Sequence, residues 1–306
     1  MRVLVTGAGG FVGPHLRRAL QAAGAEVLGL GPMPVPGEVD ILTDVTDVRA
    51  TAEAVAKVRP DAVVHLAGLS SVSECAKDPM RAFQINAGGA LSVAQAVIAL
   101  GAPCRLLLVS SGEVYGAAAG PGPIDENLLP DPMNVYGATK RAAEIIALQH
   151  RHQGLDVILA RPFNHIGPGQ TATFVLPSFA QQLAKVPRGG QVTLEVGNLS
   201  AVRDFTHVED IVDAYRLLLE KGKRGEVYNL GSGVGRTIES MLQLLVARSG
   251  REVTVKVDPK RLRPVEIPAL IGNVQKLAEL GWKPTRTVEQ ALSSVLDEME
   301  QRSRSA

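Results

Sequence analysis

What the chain lacks narrows it first. Only two of its 306 residues are cysteine. Cys75 and Cys104 lie far apart and outside any CxxC spacing, so neither a disulfide framework nor a thiolate zinc site is expected, and both read as ordinary buried or half-buried thiols. The six histidines are dispersed with no HExxH pair, so no metal is expected. An excess of one charge is also missing: 32 Lys and Arg stand against 31 Asp and Glu, a formal charge of +1. That removes the basic surplus a nucleic-acid binder shows. No uninterrupted apolar run approaches the roughly 18 residues of a membrane span. The opening MRVLVTGAGG has no basic region followed by an apolar stretch and a cleavage site. The expectation is a cytoplasmic protein with no nucleic-acid or membrane partner. Aromatics make up only 4%, but hydrophobic residues make up 45%, ample for a full core at this length. The 31 glycines and 19 prolines follow no period, which excludes a collagen-like or low-complexity chain.

What is present is an alternation of strands and helices. Arg2–Thr6, Val27–Leu30, Ala62–Leu66, Arg105–Val109 and Asp156–Ala160 read as strands. Their apolar runs do not alternate, which suits a parallel sheet covered on both faces. Helical patterns fall between them: Phe11, Leu16, Ala19, Leu20 and Ala23 closing at Gly24, then stretches near 47–58 and 80–100, and Val135–Gln153. This succession predicts an α/β fold built on a doubly wound parallel (Rossmann) sheet. After about residue 165, Pro168, Pro177 and Pro187 punctuate a mixed set. It comprises strand-like Val192–Val196, Val227–Leu230 and Val253–Val257, with helical 208–221, 237–249 and 287–301. The expected organisation is a dinucleotide-binding lobe over 1–164, to which later segments return, and a smaller α/β C-terminal substrate lobe over 165–306 that covers the cleft.

Gly7-Ala8-Gly9-Gly10-Phe11-Val12-Gly13 sits between the first strand and the first helix. Glycines at 7, 10 and 13 suit a tight turn, close backbone approach to a pyrophosphate, and close helix–sheet packing, with the N–H groups of the helix start facing the anion. A dinucleotide site usually carries an acid at the end of the second strand to hold the adenosine ribose. Here that place reads Gly29-Leu30-Gly31-Pro32-Met33, with neither an acid nor an Arg or Lys. The choice between NAD(H) and NADP(H) therefore stays open. Tyr136-Gly137-Ala138-Thr139-Lys140 puts a phenol and an ammonium one helical turn apart. The ammonium should lower the phenol pKa and make Tyr136 an acid or base near neutral pH. Ser110-Ser111-Gly112-Glu113-Val114-Tyr115-Gly116 follows a buried strand, where a parallel sheet places its site. Ser111 can there hydrogen-bond a substrate oxygen that Tyr136 also touches.

These pieces, with Asp44-Val45, His65-Leu66-Ala67, Asn86 and Arg161-Pro162-Phe163-Asn164, make the chain resemble the extended short-chain dehydrogenase/reductases that modify nucleotide sugars. The match spans nearly the whole chain. The resemblance implies an NAD(P)-dependent enzyme. Gly7, Gly10, Phe11, Val12 and Gly13 would cradle the cofactor, Asp44 would bind the adenine amine beside Val45, and Leu66 and Ala67 would form a wall near the phosphates, with Asn86 close by. Tyr136 and Lys140 would be the catalytic pair, Lys140 also holding the nicotinamide ribose, with Ser111 as partner. Asn164 would meet the substrate diphosphate.

The second half resembles the GDP-sugar branch of that family, through Arg161–Gln170 (RPFNHIGPGQ), Val196–Leu199, Ala201–Phe205 and Leu262–Pro268 (LRPVEIP). By that resemblance Arg203 and Arg263 would contact the substrate diphosphate and Glu266 the guanosine side. Guanidinium forks suit phosphate oxygens. Glu113 occupies the place where the branch's 4,6-dehydratases keep a catalytic glutamate that also faces substrate. The neighbouring acid of those enzymes is replaced by Gly112, which has no proton to offer. The implied reaction is therefore reduction of the 4-keto group of a GDP-4-keto-6-deoxy-hexose, GDP-4-dehydro-6-deoxy-D-mannose to GDP-D-rhamnose, with NADH or NADPH. A nucleotide-sugar 4-epimerase or a GDP-mannose 4,6-dehydratase is the alternative, and a non-catalytic dinucleotide sensor a remote one. Small residues along 80–100 and 135–153 (Ala87, Gly88, Gly89, Ala90, Ala94, Ala142 and Ala143) allow close helix approach. The resemblance assigns those helices to a homodimer interface.

Overall fold

The computed structural model describes residues 1–33, 40–262 and 267–305. The first half alternates as its sequence predicts: β1 (Arg2–Thr6), α1 (Val12–Ala22), β2 (Glu26–Gly31), β3 (Asp40–Leu42), α2 (Val48–Val58), β4 (Ala62–His65), α3 (Val72–Lys77), α4 (Pro79–Phe83), α5 (Gly89–Ala99), β5 (Arg105–Val109), α6 (Val135–His150) and β6 (Asp156–Pro162). Strands β1, β4, β5 and β6 lose almost all solvent contact. Apolar side chains on both of their faces feed two separate cores, one under α1 and α8, the other under α2, α5 and α6. That is why these strands read as continuous apolar runs.

The second half is β7 (Asn164–Ile166), α7 (Val175–Ala184), β8 (Gln191–Val196), β9 (Val202–His207), α8 (Val208–Lys221), β10 (Val227–Leu230), β11 (Gly235–Thr237), α9 (Ile238–Ser249), β12 (Glu252–Val257), β13 (Ala269–Leu270), α10 (Gln275–Ala278) and α11 (Val288–Ser305). It does not stay on its own side of residue 165. Strand β10 joins β6 and completes a seven-stranded parallel sheet in the order β10-β6-β5-β4-β1-β2-β3. Helix α8 packs against α1. The remaining elements form a smaller unit in which β7, β11 and β13 pair with β9, β12 pairs with β8, and α7, α9 and α11 supply a third core. Pro177 does not punctuate this region as expected. It is the third residue of α7, in the first turn, where a missing N–H costs no intrahelical bond.

Helices α4 and α5 are joined without a break by a π-helical turn, Gln84–Gly88. The run Pro79–Ala99 is long and apolar enough to cross a membrane by length and composition, yet 56% of its apolar window is buried inside the fold. It packs on α2 and α6 as a core helix.

Candidate active site

The first glycine turn fits a dinucleotide. Gly7 adopts φ +70°, and a Cβ there would lie 2.6 Å from the backbone nitrogen of Ala67. The loop therefore runs against the end of β4 as only glycine allows. A Cβ at Gly13 would overlap the carbonyl of Ala8, so α1 starts directly under the loop. No side chain caps α1, and its first N–H groups remain available to an anion. Phe11 stands at the N-cap, with Val12 opening the helix. Leu66 and Ala67 flank the loop, their nitrogens donating to the Thr6 carbonyl (3.2 Å) and hydroxyl (3.3 Å). Asp44 is exposed and accepts from the backbone and hydroxyl of Thr46, both at 2.9 Å, while the following Val45 is buried.

The chemical groups converge at the ends of β4 and β5. Ser111 is the N-cap of a short turn after β5 and accepts from the Glu113 nitrogen at 3.2 Å. Asn134 begins α6: its Oδ1 accepts from the Gly137 nitrogen at 2.8 Å, and its Nδ2 donates to Glu113 Oε2 at 2.9 Å. One side chain thus caps α6 and holds Glu113 beside it. Two residues on, Tyr136 is 8% exposed, with Ser111 near enough to oppose the rise in its pKa. Lys140 follows a turn later and donates to the Val109 carbonyl at 2.9 Å. Asn86 enters from the π-helical turn. It accepts from the Leu69 nitrogen at 2.7 Å and donates to Thr139 at 2.9 Å. A Cβ on Gly68 would lie 2.8 Å from Asn86 Oδ1 and 3.2 Å from Lys140 Nζ, so these two side chains share one small space. A π-helical turn inside a long helix is a frequent mark of such sites.

One electrostatic expectation is corrected. The spacing predicts that Lys140 lowers the Tyr136 pKa. Instead, burial pushes Tyr136 up to about 12, the Ser111 hydrogen bond opposing and the charges of Glu113 and Cys75 adding to it. Desolvation dominates the phenol, while Lys140 Nζ is directed to the Val109 carbonyl. Burial also brings Lys140 itself down to about 8, against the opposite pull of Cys75 and Glu144. At neutral pH the site therefore holds a neutral phenol beside a charged lysine, the state from which a proton is given rather than taken.

The expected substrate residues are spread along the second sheet. Asn164 lies on β7, half-buried, in register with Phe205 of β9. Arg203 is 5% exposed, and its Nη1 donates to the carbonyls of Val202 (2.9 Å) and Ile267 (2.8 Å). Arg263 and Glu266 lie outside the described residues. No group of three or more His, Cys, Asp or Glu among the described residues could hold a metal.

Sequence reasoning passed over several residues that shape this site. His15 bridges Glu209 (2.5 Å) and the Pro168 carbonyl (2.8 Å). The Phe11 ring stacks on His165, centroids 5.8 Å apart and planes within 8°. Together they tie the cofactor loop to the segment that enters the second lobe. These pairs span more than 150 residues and leave no local signal. Asn134 could have been read, as a helix-capping residue just before the tyrosine.

Against known proteins, residues 3–231 match the model of the NAD dependent epimerase/dehydratase family. The chain belongs to this family. It is 41% identical to the GDP-6-deoxy-D-mannose reductase of Pseudomonas aeruginosa over 99% of this chain and 98% of that protein. It is 30% identical to the GDP-6-deoxy-D-talose 4-dehydrogenase of Aggregatibacter actinomycetemcomitans, over 98% and 97%. Among solved structures, RMD from Pseudomonas aeruginosa complexed with NADPH superimposes with a TM-score of 0.84 at 38% identity, covering 98% of this chain and 99% of that one. The UDP-glucose 4-epimerase of Thermus thermophilus in complex with NAD superimposes at 0.86 with 29% identity and the same coverage.

Proposed function

We propose that this chain reduces the 4-keto group of GDP-4-dehydro-6-deoxy-D-mannose, giving GDP-D-rhamnose. The observation that carries the reading is the convergence of Ser111, Tyr136 and Lys140 at the ends of β4 and β5, with Lys140 one helical turn from Tyr136 and anchored on the Val109 carbonyl. The full-length relationship to a GDP-6-deoxy-D-mannose reductase supports the sugar and the base. The Gly7–Gly13 loop, Leu66, Ala67, Asp44 and Lys140 would hold NADH or NADPH, which would supply the hydride for C4. Ser111 donates a hydrogen bond to the ketone oxygen and orients it. Tyr136 gives its proton to that oxygen as the alcohol forms. Lys140 sustains the positive field that favours negative charge building up on the oxygen and the phenol. Glu113, fixed by Asn134, presents a carboxylate at the sugar side of the pocket. Gly112 leaves the adjoining place without an acid, and the Phe163 ring fills the space, 3.1 Å from where a Cβ would stand. That arrangement favours reduction over loss of water. Asn164, Arg203 and Arg263 are assigned to the substrate diphosphate and Glu266 to the guanosine.

The test is a spectrophotometric assay with GDP-4-dehydro-6-deoxy-D-mannose, following NADH and NADPH oxidation separately. The expected outcome is stoichiometric formation of GDP-D-rhamnose, and the ratio of the two kcat/KM values sets the cofactor preference. The similarity to UDP-glucose 4-epimerase supports a second reading, 4-epimerisation. Turnover of a UDP-hexose with tightly retained NAD and no added reductant would establish it instead.

The chain is further assigned to a homodimer. Exposed Met80 (67%), Phe83 (49%) and Ile145 (55%) on α4 and α6 support this, and light scattering tests it. A charged nucleotide-sugar substrate and a charged cofactor fit a cytoplasmic enzyme with no membrane or nucleic-acid partner.

A further inference from the structure

Beneath the tyrosine–lysine pair lies a buried ion pair that the reaction as derived does not use. Glu144 stands on α6 one turn beyond Lys140 and two beyond Tyr136, with no solvent exposure. Arg161, at the end of β6 and 2% exposed, meets it with a full fork: Nε donates to Oε1 and Nη2 to Oε2, both at 2.8 Å. The third nitrogen, Nη1, donates to the Tyr115 hydroxyl at 3.0 Å, and that hydroxyl donates to Asn229 of β10 at 2.7 Å. Arg141 adds a bond to Oε2 at 2.9 Å. A single connected network thus runs from the catalytic helix through β6 to the loop that carries Ser111 and to the edge of the large sheet. Stability alone does not account for it, because a well-packed apolar pair of similar volume usually serves as well or better in such a place.

We propose that Glu144 is a positioning residue, held by the Arg161 fork so that α6 presents Tyr136 to Ser111 and a carboxylate stands one turn from Lys140. This rests on the reductase reading for its chemistry. The electrostatics agree with it. The groups around Lys140 are Tyr136 and Glu144 on its own helix, Cys75 of α3, His65 of β4, Asn86 of the π-helical turn and the Val109 carbonyl of β5. Burial and the Lys140 charge bring His65 down to about 3, burial pushes the Cys75 thiol up, and Tyr136 is a phenol, so all three are uncharged near pH 7. Burial would also push the Glu144 carboxyl up, but the Arg161 hydrogen bonds and charge overrule it and hold Glu144 below the usual range. Of the two groups that keep Lys140 from falling further, Cys75 and Glu144, Glu144 is therefore the one ionised at neutral pH.

The test follows kcat for ketone reduction and, separately, NADPH affinity by fluorescence, each against pH. In the wild-type protein both should decline as pH rises through about 8, where Lys140 loses its proton. Glu144→Gln should move both midpoints down by about one pH unit, leaving the variant severalfold below wild type at pH 8 and converging with it near pH 6. Because that variant strands the buried Arg161 charge and can fail to fold, the double variant Glu144→Leu/Arg161→Met is made beside it. It should melt near the wild type and show the same displaced midpoints with the sugar KM little changed. A folded double variant with wild-type midpoints, or a wild-type profile flat through pH 9, overturns the proposal. The NADPH titration needs no sugar. Absence of ketone reduction with the titration behaving as stated would therefore remove the reductase reading and leave the positioning role standing.

Discussion

At the scale of single residues, environment governs the site more than residue type does. Tyr136 and Lys140 were legible from their spacing together with the Ser110–Gly116 loop and the glycine cradle, and Ser111 from its place after a buried strand. Their protonation was not, because the sequence holds no record of how deeply α6 is buried. The phenol that spacing predicts as an acid or base of lowered pKa is instead pushed up to about 12 by desolvation, which suits the acid. Tyr136→Phe should therefore lower kcat by about 10²–10⁴-fold, the usual contribution of a placed acid. The melting temperature should stay within a few degrees, since the hydroxyl's partner is Ser111 at the pocket wall. Stopped-flow NADPH oxidation and a thermal melt check both. The pairing of Arg161 with Glu144 was invisible in sequence for a different reason. Arg161 stands in a motif the sequence shows, Glu144 in none, and the contact between them exists only once β6 lies alongside α6.

At the scale of elements, the strands buried on both faces are the plainest in the sequence, and the more exposed β8 and β12 also start within one residue of where the sequence predicts. Arg2–Thr6, Arg105–Val109 and Val227–Leu230 are found at the expected bounds, because a continuous apolar run is a local property. Strands β7, β11 and β13 have three residues or fewer, and β9 (VRDFTH) carries an Arg and an Asp that become buried only through partners elsewhere. No periodicity could reveal them. Two elements carry consequences that can be measured. Asn134 both caps α6 and holds Glu113. Asn134→Ala should cost about 1 kcal/mol of stability, seen as a lower denaturant midpoint, and should raise the sugar KM as Glu113 loses its tether. In α1, Gly13→Ala drives a methyl into the Ala8 carbonyl. NADPH affinity should fall at least tenfold by fluorescence titration, with a lower melting temperature as the helix start is pushed off the loop.

At the scale of the whole molecule, one buried carboxylate joins the two sheets. Asp204 of β9 has no solvent exposure and accepts from the nitrogens of Ser232 (2.7 Å), Gly233 (2.9 Å) and Gly272 (3.3 Å) and from the Ser232 hydroxyl (2.5 Å). Those donors follow β10, on the large sheet, and β13, on the small one. Asp204→Ala would strand four donors at the junction and should cost about 3 kcal/mol or more, read as a shifted urea midpoint. Impaired sugar turnover should precede any loss of NADPH binding, since the glycine loop lies on the far side of the sheet's centre. The sequence predicts that later segments return to the first lobe, and the chain does so: it leaves the first sheet after β6, lays down β7, α7, β8 and β9, comes back as α8 and β10, and then leaves again to complete the second unit.

That return has a bearing on synthesis. The seventh strand of the nucleotide-binding sheet, β10, ends at Leu230, and α8, which covers one face of that sheet beside α1, ends only nine residues earlier at Lys221. A nascent chain that has emerged through β6 carries six strands with one face and one edge uncovered. It must wait for about seventy further residues, several seconds or more at ordinary translation rates, before that face is closed. During that interval the bare edge of β6 and the incompletely covered apolar face are exposed to neighbouring chains, and the first lobe finishes only when α8 and β10 emerge, while β11, α9, β12, β13 and α11 of the second unit are still to be made.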